Sequence, residues 1–84
     1  MMEDLQSLRT QIDNIDRQIA QLFCQRMAVT EQVGEYKAAH GLPVLDAARE
    51  KQVLAAKAAL VGDDLRADIT TLFETIMALS RRQQ

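Results

Sequence analysis

Eighty-four residues allow one small domain, which by itself would bury only a modest share of its surface, so oligomerisation is expected from length alone. Nearly half of the residues are apolar (48%), yet there are one Tyr, two Phe and no Trp, and Ala, Leu, Gln, Arg and Glu dominate, which is the composition of a helical protein. A net charge of −2, with no basic block and no stacking aromatics, argues against a general nucleic-acid binder, so any anion the chain binds must be met by a local cluster of cations.

Acidic residues follow Met1 and Met2 directly and no apolar run is present, which predicts neither a leader peptide nor a membrane span. From about residue 4 to residue 40 nothing interrupts a helix except a tolerable Gly34, and Gly41 followed by Pro43 supplies the stop. At 1.5 Å per residue this is a rod of roughly 55 Å. A compact domain of this length has a radius of gyration near ~12 Å, so the rod must project and needs a partner for its apolar stripe. That stripe is Leu5, Leu8, Ile12, Ile15, Ile19 and Leu22, resumed by Val29, Val33 and Tyr36, with Arg26 in the gap. A guanidinium in an apolar seam is costly unless an acceptor meets it, so the chain has either an internal salt bridge there or an anion site. Cys24 is the only cysteine, which excludes an internal disulfide framework, points to a reducing, cytoplasmic compartment and reads as a small packing residue.

The 41 to 45 stretch is the one substantial loop. Asp46 is a credible cap for a second helix over about residues 46–61, ended by Gly62. Asp63 or Asp64 can cap a third helix running over about residues 64–84, with Leu65, Ile69, Leu72, Phe73 and Ile76 as its apolar face. The pattern predicts a single all-α domain over residues 1–84, one long helix and two shorter ones, completed by a second copy of itself.

Polar residues interrupt each apolar face. Lys37 lies eleven residues beyond Arg26, within about 20° of the same face and roughly 16 Å along it, close enough for both cations to reach one small anion. Arg9 is about 25 Å from Arg26 and roughly 100° round the rod, so it cannot readily serve the same ligand from the same helix, whereas antiparallel pairing of two long helices would carry it to the neighbourhood of the other chain's Arg26 or Lys37. On helix 2, Asp46 and Glu50 extend the buried face one turn apart, with Arg49 beside them. On helix 3, Ser80 follows Ile76 by one turn and Gln84 follows Ser80 by another. Each has a structural reading as well: Asp46 as a cap, Arg9 and Lys37 as solvated interface residues, Arg49 and Glu50 as surface charges. The sequence has no metal-ligand spacing, phosphate loop, Ser-His-Asp set or activated thiol, so no metal or cofactor is expected. Cations, carboxylates, a hydroxyl and an amide suit binding of a small dianion and electrostatic restraint of a reacting molecule.

These residues carry a family resemblance. L-R-x-x-I-D-x-I-D at Leu8 to Asp16, L-F-C-Q-R-M at Leu22 to Met27, V-G-E-Y-K at Val33 to Lys37 and P-V-L-D-x-x-R-E at Pro43 to Glu50 resemble the all-helical (AroQ-type) chorismate mutase domains. The resemblance implies an interlocked homodimer that converts chorismate to prephenate on the route to Phe and Tyr, without cofactor or metal. It implies that Arg26 and the second chain's Arg9 hold the substrate carboxylates, and that Lys37 and Gln84 meet the ether oxygen. It also implies that Glu50, with Asp46, receives the ring hydroxyl, while Arg49 and Ser80 complete the polar lining. Such domains often occur fused to, or associated with, other enzymes of the same pathway. Two other readings stay open at this level: an isochorismate pyruvate-lyase of similar fold, and a non-catalytic dimerisation or regulatory module.

Overall fold

The computed structural model describes residues 4–84, which form α1 (Leu5–Ala39), α2 (Ala47–Ala58) and α3 (Asp63–Gln83), with no strand among them. Met1, Met2 and Glu3, on which the reading of the N-terminus rests, lie outside the described residues. Among the described residues no helix is long and apolar enough to cross a membrane.

Each boundary has a local cause. Asp4 caps α1 by accepting from the Ser7 N–H at 2.7 Å, the geometry that satisfies one of the unpaired amides of a first turn. At the other end Gly41 takes φ +66°, the Leu42 N–H returns to the Lys37 carbonyl at 2.8 Å and the Gly41 N–H to the Ala38 carbonyl at 3.5 Å. This double closure needs a residue that enters the left-handed region without steric cost, which explains a glycine there. Asp46 caps α2 through the Arg49 N–H at 3.0 Å.

The second junction differs from the sequence expectation. Helix α2 stops at Ala58 rather than near residue 61, because the Leu60 N–H bonds the Lys57 carbonyl at 3.0 Å and tightens the chain out of the helix. Gly62 is then the N-cap of α3 in extended conformation, not the end of α2, and no side chain caps this helix. Asp63 and Asp64 sit inside the first turn instead of capping it, where their charges oppose the positive end of the helix dipole.

Helix α3 packs on α2 and on α1, whereas α1 and α2 do not pack on each other. The result is elongated, 59 × 26 × 15 Å with a radius of gyration of 16.5 Å. The interior is thin: Val53 and Met77 are its buried apolar side chains, with Thr30, Gly34 and Ser80 buried beside them. The α1 stripe from Leu5 to Tyr36 is exposed along its length, each of its nine apolar members retaining 41–61% of its accessible surface. Cys24, expected as a packing residue, is also exposed in the single chain.

A Cβ added at Gly41 would meet no atom within 4 Å, so substitution there tests backbone conformation alone. Gly41→Ala is expected to lower the unfolding free energy by roughly 1 kcal/mol at fixed protein concentration, with an unchanged denaturant slope in urea titration.

Candidate active site

One cleft of about 270 Å³ opens where the C-terminal half of α1, the start of α2 and the end of α3 converge. Helical spacing places Arg26, Thr30, Val33 and Lys37 on one face of α1. The α2 wall consists of Asp46, Arg49, Glu50 and Val53, and the α3 wall of Met77, Ser80, Arg81 and Gln84. Seven of the eight polar residues singled out in the sequence thus share one cavity; Arg9 does not, being on the distant half of α1.

The Arg26 side chain is half-buried and has no carboxylate partner among the described residues, whose ion pairs are Arg66–Asp63 and Arg81–Glu50. Its Nη1 instead donates to Ser80 Oγ at 2.7 Å, and that hydroxyl donates to the Ile76 carbonyl at 2.8 Å. A neutral hydroxyl orients the guanidinium without cancelling its charge, and most of the fork's five N–H donors stay available. Thr30 satisfies its own buried hydroxyl by donating to the Arg26 carbonyl at 2.9 Å.

Lys37 ties α1 to the loop that follows it and to the end of α3. Its Nζ donates to the Val44 carbonyl at 2.6 Å and to Gln84 Oε1 at 2.9 Å. An ammonium has three donors and no acceptor, so one N–H remains for a ligand. The same bond forces the Gln84 amide oxygen toward Lys37 and leaves its NH₂ as a second free donor nearby. Gln84 is held by an unusually close approach: a Cβ built on Gly34 would lie 2.9 Å from Gln84 Cα. Glycine at position 34 is therefore what allows the last turn of α3 to lie on α1.

Between the α2 and α3 walls Arg81 Nη1 meets Glu50 Oε2 at 2.5 Å, while Asp46 is engaged with the Arg49 backbone. The Arg49 side chain lines the cleft from an exposed position. Four cationic and two anionic side chains line the cavity, a surplus of two positive charges on a chain whose net charge is −2. A small, doubly negative molecule with additional hydrogen-bonding groups matches this field.

Sequence reasoning missed Thr30 and Arg81. Both carried a signal, since Thr30 is one turn beyond Arg26, and Met77, Ser80, Arg81 and Gln84 follow the three-one-three spacing of a single helix face.

The fold and the cleft define a class, an all-helical domain with a cleft lined by a surplus of cationic side chains. The chain belongs to the family described as chorismate mutase type II, which matches it over residues 8–84. It is similar to the T-protein of Haemophilus influenzae, 45% identical over 56 residues that cover 67% of this chain and 15% of that protein. It is also similar to the chorismate mutase of Methanocaldococcus jannaschii, 38% identical over 53 residues, 63% of this chain and 54% of that protein. With the bifunctional chorismate mutase/prephenate dehydratase of Aquifex aeolicus it shares 36% identity over 52 residues, 62% of this chain and 14% of that protein. The chain therefore spans a small part of the T-protein and the bifunctional enzyme. No solved structure matches it significantly.

The Gly34 contact decides between two opposing effects. Alanine improves helix propensity by roughly 0.5–1 kcal/mol. A methyl forced against backbone costs about 1–3 kcal/mol, so the clash wins. Gly34→Ala is expected to destabilise the fold slightly and to release the end of α3, seen as faster amide hydrogen exchange from Ser80 to Gln84 with unchanged exchange in α2.

Proposed function

We propose that this chain is a chorismate mutase, which rearranges chorismate to prephenate in the biosynthesis of Phe and Tyr. The observation that carries this reading is the uncompensated Arg26 guanidinium in a cleft that also holds free donors of Lys37 and Gln84. The rearrangement breaks one ether C–O bond and forms one C–C bond within the same molecule, so no nucleophile, external proton or electron is required. The protein must hold the substrate folded and stabilise negative charge growing on the ether oxygen.

In this reading Arg26, steered by Ser80, binds one substrate carboxylate, and Arg49 adds positive field beside it. The remaining N–H of Lys37 and the Gln84 amide donate to the ether oxygen, and these bonds strengthen as the C–O bond opens. Glu50, with Asp46 near it, accepts from the ring hydroxyl.

The second carboxylate is assigned to Arg9 of another copy. Support comes from the exposed apolar seam of α1, nine apolar side chains in one stripe rather than scattered singly, and from the thin interior of one chain. Antiparallel pairing of two α1 helices would bury both seams and carry Arg9 to the opposite cleft. A cytoplasmic location suits the exposed thiol of Cys24, which needs a reducing environment to remain free. The bifunctional name of the Aquifex relative favours a neighbouring, fused or associated enzyme that consumes prephenate.

The primary test supplies purified protein with chorismate and, separately, isochorismate. Prephenate from the first is expected; salicylate plus pyruvate from the second alone would reassign the chain to the lyase reaction. Lys37→Ala is expected to lower kcat about 10²- to 10³-fold, the usual effect of deleting one donor to a developing oxyanion. Arg26→Leu is expected to abolish turnover while leaving the melting temperature unchanged or raised, because it removes a charge from an apolar seam. Mixing the nearly inactive Arg9→Ala and Lys37→Ala proteins should restore part of the activity through heterodimers with one intact cleft. Absence of recovery despite confirmed subunit exchange would refute the shared site.

A further inference from the structure

Arg81 is the one cationic side chain of the cleft to which the proposed reaction assigns no task. It pairs with Glu50 across a sequence separation of 31 residues, joining the start of α2 to the last turns of α3. The contact is a single one, Nη1 to Oε2 at 2.5 Å, and Glu50 Oε1 has no hydrogen-bond partner among the described residues. Both side chains are largely shielded, 35% exposed for Arg81 and 26% for Glu50, so the pair is better protected from water than an ordinary surface ion pair. Its position matters further, because Arg81 directly follows Ser80, the residue that orients Arg26, and precedes Gln84 by one turn. At the far end of the same interface the Arg66 Nε donates to the Ala58 carbonyl at 3.3 Å; at the cleft the α2–α3 side-chain bond is Arg81–Glu50.

We propose that Arg81 is a positioning residue for the mutase reaction, clamping Oε2 of Glu50 so that Oε1 is presented to the substrate hydroxyl. The proposal rests on the function assigned above. An unclamped glutamate samples several rotamers, and a carboxylate that must accept one hydrogen bond at one place loses effectiveness when its orientation is shared among them. Arginine suits this task better than lysine would by shape, since its rigid planar fork fixes direction as well as distance. Lysine nevertheless restores the charge, which makes it the informative conservative replacement.

A double-mutant cycle on the full chain tests the proposal, with kcat and KM for chorismate as readouts and thermal melting as a check on folding. Arg81→Ala is expected to lower kcat/KM about tenfold when Glu50 is present, and less than about twofold in the Glu50→Ala background, since a residue acting through Glu50 has nothing left to act on. Arg81→Lys should recover a measurable part of the loss. An equal penalty in both backgrounds would overturn the proposal, because Arg81 would then act on the substrate directly or through its charge alone. No penalty with Glu50 present would overturn it as well. If the alanine variant melts below the assay temperature, Arg81→Gln repeats the cycle with a side chain of similar reach and one remaining amide donor group. An unmutated chain that leaves chorismate unchanged would remove the functional reading itself, an outcome distinct from an active enzyme with no coupling between the two residues.

Discussion

Arg26 is oriented by a hydroxyl rather than neutralised by a carboxylate, and the rest of the cleft is arranged around that choice. A guanidinium in the middle of an apolar seam carries a desolvation cost that an internal aspartate or glutamate would offset at once. Ser80 offsets little of it, and so the charge stays available to a ligand. The two carboxylates of the cleft are committed elsewhere, Asp46 to the first turn of α2 and Glu50 to Arg81. Cancellation inside the cavity is thereby confined to the α2–α3 side, and the Arg26 and Lys37 face of α1 remains cationic.

Helix ends do much of the construction. The α2 residues of the cleft come from its first turns, the α3 residues from its last turns, and the loop between α1 and α2 supplies the Val44 carbonyl to Lys37. Helix termini and loops are where a chain can point several backbone and side-chain groups at one volume, whereas mid-helix positions offer one face each. The Gly34 seat is what lets α3 reach this volume, since any side chain at that position would meet the backbone of Gln84. Stability and site geometry are consequently linked: the contacts that dock α3 on α1 are the same contacts that orient Ser80 and Gln84.

The exposed α1 seam gives the proposed dimer its physical logic. Among the described residues two apolar side chains are buried fully enough to call a core, and most of the large exposed apolar side chains line the long helix of a molecule with a 59 Å principal extent. A second rod is the simplest cover for such a seam, because it presents the same periodicity along the same length. Joining the clefts through Arg9 would make catalysis depend on assembly, so that an isolated chain would fold poorly and bind substrate incompletely for a common reason.

Much of this was legible in the sequence alone. Residue spacing determined the three helices, the stop at Gly41, the cap at Asp46, and the common face of Arg26 and Lys37, because those depend on interactions within a few residues and on the 3.6-residue period. The motifs also pointed to the family. Other features were decided only when the helices packed. Gly62 starts α3 instead of ending α2 because the turn after Ala58 tightens, and Met77 rather than Ile76 is the buried apolar residue of α3 because of how that helix is rotated between its neighbours. The Gly34–Gln84 approach and the Arg81–Glu50 pair join residues 50 and 31 positions apart. Periodicity assigns a residue to a face of its own helix; which face meets which, and at what distance, is set by packing between helices, and that is where Arg26 acquired a hydroxyl as its neighbour rather than a countercharge.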